Sequence, residues 1–508
     1  MPVLEDEGPP GPGPDDREGS VATAGGGPAQ APADGDGDGG RWRAFRRRAG
    51  RWTWVMPAAL FCFVFAVDEV SPNGMTADSL RAIPTAVSMV YWRTISLDHL
   101  KGYLTLPGVD EVTSHGHVYP IFPWATSLFA VPWVVADAAL HKLGFGAGPL
   151  ALVRTGDDWD LQVISMAAVV AATSVVIFHL AVRVLSMAPM RRRRRWALGV
   201  ALVFAFATPA WSTASRSMWE HGPSMLCLSV ALLYALRAQA GQRGWTGMGV
   251  ALGLAYTIRP TDALVVMALG LWVLIWYRKH LWKVVVGAAV PLTVFVAVNL
   301  ATYHQVLPPY FSQGGQFSVS WTFLDALAAN LVSPARGLLI FVPLVVLSVV
   351  GVVVQYRRGA MTPFWWAVAA VLPAHLIVIS AFANWWAGDA FGPRFFTDLL
   401  PLFVLLALPA VDHLAEHRFE RQALVVGLVC AALVWSLGVE VQGATLRSSW
   451  CWNAEPVNVD LHPNNVWNWA DPQFARGIRA IVFGPDRGTE LLRDGVQAVG
   501  CPVEPVRP

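Results

Sequence analysis

The sequence predicts an all-α polytopic membrane protein. Of the 508 residues, 55% are hydrophobic and only 14% are charged, and the mean hydropathy is +0.45. A soluble protein of this length needs far less apolar surface for its core, so the excess is typical of helices that cross a bilayer. The apolar residues also fall into many separate runs, and no polar stretch is long enough to predict a soluble domain with its own chemistry.

The beginning of the chain predicts a cytoplasmic tail followed by a signal anchor. Residues 1–40 are rich in Gly, Pro, Ala and Asp and bury too little apolar area to offset chain entropy, which predicts disorder. The basic block RWRAFRRRAGR at 41–51 directly precedes the apolar run 52–67. Basic residues beside a span favour the cytoplasm, and no small-residue cleavage site follows the run. We therefore expect the N-terminus inside.

Further apolar runs predict about eleven spans in total, because a crossing helix needs roughly 20 apolar residues. The runs after the first are 161–185, 196–211, 222–237, 245–258, 263–277, 284–301, 338–355, 363–382, 399–414 and 422–440. Basic clusters occupy alternate loops, which the positive-inside bias assigns to the cytoplasm. These clusters are Arg191 to Arg195, Arg237 with Arg243, Arg278 with Lys279 and Lys283, Arg357 with Arg358, and Arg418 with Arg421.

The remaining loops are then predicted to be extracytoplasmic. They are 68–160, 212–221, 259–262, 302–337, 383–398 and a small C-terminal tail, 441–508. One stretch, 119–140, is apolar enough to span but contains three prolines. A full crossing there would place the Arg191 to Arg195 cluster outside, so we expect a juxtamembrane or re-entrant helix within the first external loop.

Carboxylates in the first external loop predict an acid or base near the membrane surface. Asp78, in TADSLRAIPTAVSM, fits two roles: the N-cap of the helix that follows, or a group that takes a proton from a substrate. Asp68 and Glu69, at the end of the first span, compete for the second role.

Cations and aromatic residues in the other external loops predict a binding site. Arg216, Glu220 and His221 lie at a helix mouth in WSTASRSMWEHGP, and Arg259 lies in IRPTD. Each of them also fits a structural role, as an interface anchor or a helix stop, but their common side of the membrane favours a shared site. The later loops add Arg336, Trp385, Trp386, Asp389 and Arg394.

Other motifs are missing from the sequence. It has no Walker loop, and its Cys and His spacing is not that of a metal site, so we expect no metal, no cofactor and no nucleic acid partner. Cys451 and Cys501 both lie in the tail, which is predicted to face an oxidising exterior, and we expect them to form a disulfide.

Several of these segments resemble the GT-C superfamily of integral membrane glycosyltransferases, which use polyprenyl-phosphate sugars. The superfamily includes protein O-mannosyltransferases, bacterial aminoarabinose transferases and actinobacterial cell-wall transferases. DSLRAIPTAVSM is similar to the first-loop signature, an acidic residue followed three positions later by Arg, and GHVYPIFPWATSLFAVP to the next helix. The second segment departs from the pattern, since Phe122 and Pro123 stand where a Lys is common.

Three later segments extend the resemblance over roughly residues 50 to 440. They are EHGPSML, NLVSPARGLLIFVP and WWAGDAFGPRFFTDLLP. The resemblance implies a GT-C-like domain over 41–440, a catalytic Asp78, and supporting roles for Glu220 and His221. The implied donor is a polyprenyl-phosphate sugar, and the acceptor is an extracytoplasmic glycan, lipid or protein. Arg394 would hold the donor phosphate, with Arg259 and Arg216 as second choices.

A transporter or flippase for polyprenyl-linked lipid or sugar is the alternative that the sequence leaves open. Such a protein would also be polytopic, with polar groups lining a cavity. Transporters usually show internal repeats and charges near the midplane of the membrane. Because the predicted spans are nearly free of charge, the sequence favours surface chemistry.

Overall fold

The computed structural model describes residues 38–74, 77–312, 322–416, 422–454 and 457–483. Most of the predicted disordered tail, up to residue 37, lies outside the described residues, as do Arg418, Arg421 and Cys501. Cys451 is disulfide-bonded. Because Cys501 lies outside the described residues, the pairing of these two cysteines stays a prediction.

The described residues are mostly helical with almost no strands, so the all-α class that the sequence predicts is confirmed. The helices of the first half are α1 (Asp38–Val70), α2 (Ala82–Trp92), α3 (Val131–Lys142), α4 (Pro149–Thr155), α5 (Trp159–Val184), α6 (Met190–Phe206), α7 (His221–Gln239), α8 (Trp245–Ile258) and α9 (Ala263–Trp276). Those of the second half are α10 (Arg278–Tyr303), α11 (Pro309–Ser312), α12 (Phe323–Val332), α13 (Leu338–Phe341), α14 (Val346–Arg357), α15 (Pro363–Ser380), α16 (Leu400–Glu416), α17 (Ala423–Thr445), α18 (Ser448–Cys451) and α19 (Gln473–Phe483).

Four helices of the described residues are long and apolar enough to cross a membrane. They are α5, α10, α15 and α17, and each coincides with a predicted span. The helices over some of the other runs, such as α8 with 14 residues, are shorter than a full crossing by themselves. The chain therefore has the helices of a membrane protein, and the count of about eleven spans stays a prediction.

Two apolar segments depart from the continuous helices that the sequence predicts. The run 338–355 is divided into α13, a 3₁₀ turn at Pro343–Val345, and α14, because Pro343 lacks the N–H that would continue the helix. The segment 119–140 contains the end of a strand, a 3₁₀ turn at Trp124–Phe129 and α3. Its prolines lie at the ends of these elements: Pro120 ends the strand, Pro123 precedes the 3₁₀ turn, and Pro132 lies in the first turn of α3.

The first loop that is predicted to be external also contains a hairpin, which the sequence analysis missed. Strands β1 (Glu111–Ser114) and β2 (His117–Pro120) pair antiparallel, with Glu111 opposite Pro120 and Ser114 opposite His117. The turn between them places His115 and Gly116 at positive φ. Four-residue strands are too short for a clear alternation of apolar and polar residues, so periodicity does not reveal them.

Small residues allow the central helices to approach closely. Helix α8 packs against both α7 and α10. A Cβ at Gly249 would lie 2.1 Å from the backbone oxygen of Val284, and one at Gly287 would lie 2.3 Å from that of Thr246. Glycine is therefore required on both sides of this contact, which is the packing that membrane helices use where backbones touch.

The loops predicted to be cytoplasmic lie next to one another. Arg183, at the end of α5, donates a 2.8 Å hydrogen bond to Gln242 in the loop after α7. The Ser186 backbone N–H donates to Asp412 near the end of α16, and Arg358 pairs with Glu416 at 3.0 Å. These contacts join the loops that carry the basic clusters, as a common side of the membrane requires.

Candidate functional site

Residues from five loops that are predicted to be external meet in one cavity. The loops are 68–160, 212–221, 259–262, 302–337 and 383–398, and they contribute, among others, Asp78, Glu220, Arg259, Tyr310 and Arg394. Their convergence places these loops at the same end of the helices. The cavity volume is about 60 Å³, which holds several water molecules or a similarly small polar group.

Asp78 and Arg394 form an ion pair in this cavity. Arg394 Nη2 lies 2.8 Å from Asp78 Oδ2. Asp78 lies in a 3₁₀ turn, Ala77–Ser79, and α2 begins only at Ala82 with Arg81 at its N-cap position. The interpretation of Asp78 as a helix N-cap is therefore wrong: its carboxylate is used by Arg394 and is 38% exposed toward the cavity.

Arg394 retains hydrogen-bonding capacity that the described residues do not use. Its side chain is buried, and both Nε and Nη1 lack a partner among the described residues. The guanidinium lies over the Trp219 ring, 4.5 Å from its centroid, and the Trp219 Nε1 is also unpartnered. Buried N–H groups are rarely left without an acceptor. The arrangement is suited to an anion that accepts from Arg394, with the indole ring stabilising the cation.

Arg259 is engaged differently, in a network with His221 and Asp398. Arg259 Nε lies 3.3 Å from Asp398 Oδ2, and Arg259 Nη1 lies 2.9 Å from the His221 ring nitrogens. His221 Nδ1 lies 3.2 Å from Asp398 Oδ1. A neutral ring that donates from Nδ1 to Asp398 and accepts at Nε2 from Arg259 fits these distances. Arg259 Nε and Asp398 Oδ2 are close enough for an ion pair but make no hydrogen bond within the described residues.

The titration of this network follows from its burial. Burial and the positive Arg259 lower the pKa of His221 to about 3, so the ring is neutral at physiological pH. Burial alone would raise the pKa of Asp398, but Arg259 and the hydrogen bond from His221 outweigh it and hold that pKa below its usual range. Asp398 is therefore the carboxylate that balances the charge of Arg259.

Asp262 lies next to this network, and its pKa is shifted in the direction opposite to that of Asp398. Burial, and then the negative charge of Asp398, raise the pKa of Asp262 well above its usual range. The Ser224 hydroxyl donates to Asp262 Oδ2. Two carboxyl groups with pKa values driven apart share one negative charge between them, and here that charge resides on Asp398.

Glu220 is a second titratable group that lines the cavity. Burial raises its pKa to about 8, and the charge of Asp78 adds to the shift, whereas Arg259 opposes it. Its Oε1 has no partner among the described residues. Glu220 therefore changes its charge close to physiological pH, which is the range in which a carboxyl group can exchange protons with a substrate.

Aromatic side chains form the rest of the cavity wall. Phe122, which follows the hairpin, contacts Tyr310 of α11 with a centroid separation of 4.6 Å. Phe311, Phe382 and Phe395 complete this side. The cavity thus combines cations and carboxylates with flat apolar surfaces of the kind that pack against sugar rings or hydrocarbon chains.

Three predicted residues lie near each other but outside this cavity lining. The Asp68 side chain is fully buried, and burial raises its pKa to about 8, whereas Glu69 is exposed. Arg216 is also buried and donates to the backbone oxygens of Asp68 and Ser71. Arg216 thus satisfies the carbonyl groups that α1 leaves unpaired at its C-terminal end.

The predicted residues of the later loops form a separate cluster with the C-terminal tail. Arg336 is 1% exposed and donates to the backbone oxygens of Trp386 and Gly388. It also donates to two tail side chains, Asn453 and Gln473. Because every branch of its guanidinium is bonded, Arg336 connects loop and tail.

The Trp pair and Asp389 also lie outside the cavity lining. Trp385 is buried in an apolar cluster with Trp452 of the tail, and Trp386 Nε1 donates to Asp460 at 2.7 Å. Asp389 is exposed. The two tryptophans therefore belong to the surface that holds the tail.

Several cavity or network residues were not singled out from the sequence. Asp398 and Asp262 each occur in a quoted segment, in FFTD and IRPTD, where a Thr-Asp pair next to an apolar run is the available signal. Trp219 and Tyr310 had no such signal, because aromatic residues at a membrane interface are common.

Comparisons with protein families, curated proteins and solved structures find no match to this chain.

Proposed function

We propose that the protein is a membrane glycosyltransferase that moves a sugar from a polyprenyl-phosphate donor to a hydroxyl of an extracytoplasmic acceptor. The observation that carries this proposal is the pairing of Asp78 with Arg394 in an aromatic-walled cavity, where two nitrogens of Arg394 have no partner among the described residues. The GT-C-like architecture, the extracytoplasmic position of the site and about eleven spans belong to the same proposal.

The chemistry needs few groups. The acceptor oxygen attacks the anomeric carbon, the bond from that carbon to the phosphate oxygen breaks, and polyprenyl phosphate leaves with the electron pair. Asp78 takes the proton of the acceptor hydroxyl, a role that its partial exposure to the cavity allows. Arg394 holds the phosphate through charge-assisted hydrogen bonds as negative charge develops on the leaving oxygen.

The remaining charged residues support this arrangement. Arg259 is held by Asp398 and His221. Its role is therefore to add to the positive potential of the cavity rather than to bind the donor phosphate directly. Glu220, with its pKa of about 8, is largely neutral at pH 7 and does not add negative charge near the phosphate. The cell-envelope glycan, lipid or protein that receives the sugar would approach from the exposed side of Asp78.

The test is the release of polyprenyl phosphate by the purified protein from a polyprenyl-phosphate sugar, in the presence of candidate acceptors. We expect Asp78→Asn to lower turnover by roughly 100-fold or more, since it keeps the size of the side chain and removes the base. Glu69→Gln is the matched control, because Glu69 is an exposed acid outside the cavity lining. Expression and melting temperature are checked for both variants.

Three outcomes would contradict parts of the proposal. Full activity of Asp78→Asn together with loss in Glu69→Gln or Asp68→Asn would move the base to the end of α1. No release with any donor, combined with movement of labelled lipid across proteoliposomes, would favour the transporter. Activity that survives all three substitutions would remove the acid–base argument.

A further inference from the structure

Helix α19, at the end of the described chain, presents three distinct sides. Gln473 and Gly477 are buried against the protein. The apolar residues Phe474, Ile478, Ile481 and Val482 follow the i, i+4, i+7, i+8 spacing of a single helix side, which differs from the side of Gln473 and Gly477. Phe474, at the start of this stripe, is half-buried against Phe341, whereas the other three are exposed. Its two arginines occupy the third side.

The protein-facing side of α19 is fixed by Gln442 of α17. The Gln442 amide accepts from the Ile478 N–H and donates to the Phe474 carbonyl, both at 2.9 Å. A Cβ at Gly477 would lie 2.7 Å from Leu446 Cδ1, so α19 lies directly on the end of α17. These contacts set the rotation of the helix, and they leave the apolar side facing outward.

That apolar side is unusually exposed. Ile478, Ile481 and Val482 are 51%, 68% and 64% exposed. A helix that packs on a protein normally turns its apolar side toward the core, because burying that area is the main source of its stability. In α19 the side with Gln473 and Gly477 is buried instead. The exposed aliphatic side therefore needs a medium other than water to cover it.

The exposed side of α19 continues the apolar surface of α17. On α17, Leu428 is 62% and Val434 is 71% exposed, as expected for a helix that faces lipid. Trp435 follows at 46% exposure, and its ring centroid lies 5.4 Å from that of Phe474. The Trp469 ring centroid lies 6.5 Å from that of Phe474. Tryptophan is enriched at the membrane–water boundary, where its ring is apolar and its N–H is polar.

The third side of α19 is suited to water and headgroups. Arg476 donates to Asp471, and Arg479 pairs with Asp471 at 3.0 Å while remaining 45% exposed. Both arginines lie away from the apolar stripe. A short helix with an arginine side and an aliphatic side is typical of segments that lie in the plane of a bilayer surface.

We propose that α19 lies on the bilayer surface beside the end of α17, with its stripe of Phe474, Ile478, Ile481 and Val482 inserted at the boundary between headgroups and acyl chains. Its partner is the lipid bilayer, and the contact does not depend on the proposed transferase activity. The helix anchors the tail to the membrane, and through Gln473 and Arg336 it anchors the loop that leads to Arg394.

The test uses the full-length protein in phosphatidylcholine nanodiscs with a fluorescent amino acid in place of Ile481, and separately in place of Arg479. Both positions are exposed, so folding is expected to be retained, and the melting temperature checks it. We expect nitroxide-labelled lipids with a shallow label to quench position 481 by roughly half or more, and aqueous iodide to have little effect there. Position 479 should show the reverse pattern.

Two results would overturn the proposal. Equal quenching of both positions by iodide would place the whole helix in water. Protection of position 481 from iodide and from lipid nitroxides alike would show that another part of the chain, or a second copy, covers the stripe. The same measurement at Ile478 repeats the test one turn earlier.

Discussion

Arg394 Nη2 lies 2.8 Å from the Asp78 carboxylate, and this ion pair joins the loop after α1 to the loop before α16. The cation is buried and the acid is partly exposed, so the two groups meet at the inner wall of the cavity. Arg394 is held in place by Asp78 and by the Trp219 ring, while its Nε and Nη1 have no acceptor in the part of the chain that the structure describes. A donor phosphate would therefore bind to a cation that is already positioned.

Arg394→Ala should weaken donor binding. A hydrogen bond to a charged group typically contributes about 1.5 to 3 kcal/mol, so we expect the KM for donor to rise by roughly 10- to 100-fold. Arg394→Lys should recover part of the loss, because an ammonium keeps the charge but cannot donate the two parallel hydrogen bonds of a guanidinium. The measurement is initial rate against donor concentration. Arg154→Ala, an exposed arginine in the first loop, is the matched control and should leave KM unchanged.

Donor binding should weaken as pH rises through about 8. Burial raises the pKa of Glu220 to about 8, so the carboxyl group is neutral below that pH and negative above it. A phosphodiester-like donor keeps a constant charge over this range, so the added repulsion comes from Glu220. We expect KM to rise by up to about 10-fold between pH 7 and 9. Glu220→Gln should abolish this rise, and a rise that persists in Glu220→Gln would assign the titration to another group.

Asp398→Asn should destabilise the protein. Asp398 is fully buried and balances Arg259, so its loss leaves a buried cation with only a neutral His221 as partner. Breaking such a pair typically costs about 3 to 5 kcal/mol. We expect a clearly lower melting temperature for Asp398→Asn. Asp389→Asn, at an exposed position in the same loop, should melt like the parent protein, and equal melting of the two variants would contradict the network.

The pH dependence of this stability has a defined sign. Because the folded state holds the pKa of Asp398 below its usual value, the stabilisation is present above an unfolded pKa of about 3.9 and is lost as pH falls through the folded value. The parent protein should therefore lose more stability on acidification below about pH 4 than Asp398→Asn does.

Arg336→Met should loosen the C-terminal tail. The substitution removes the hydrogen bonds from Arg336 to Trp386, Gly388 and the two tail amides, while keeping a long apolar side chain. Buried acceptors left without a donor each cost about 1 to 3 kcal/mol. We expect faster limited proteolysis within 448–483 and a lower melting temperature. Unchanged proteolysis would show that the tail is held by its apolar contacts alone.

The predicted topology can be tested by thiol labelling in a background with Cys62 and Cys430 replaced by Ser, since both are exposed. An impermeant reagent added to intact cells should label Leu461→Cys, in the exposed part of the tail, and should leave Arg191→Cys unlabelled until the membrane is opened. External labelling of Arg191→Cys would reverse the assignment of sides.

The sequence by itself determined the class of the protein and the positions of its four long apolar helices. Apolar runs correspond to α5, α10, α15 and α17, because a bilayer imposes its length requirement on each segment separately. Loop composition grouped Asp78, Glu220, His221, Arg259 and Arg394 on one side, and they line one cavity. The positive-inside bias distinguishes only the two sides of a membrane, so the order of basic clusters along the sequence is sufficient to predict which loops share a side.

Only the tertiary structure decided which polar residues lie in the cavity and which serve the fold. Arg216 and Arg336 have the same chemistry as Arg394, yet they donate to backbone carbonyls and tail amides. Two nitrogens of Arg394, in contrast, have no partner within the described ranges. The same holds for Asp398, whose role depends on Arg259 and His221 from other segments. Lateral packing between segments distant in sequence sets burial and hydrogen-bond partners, and those two quantities set what each charged group can do.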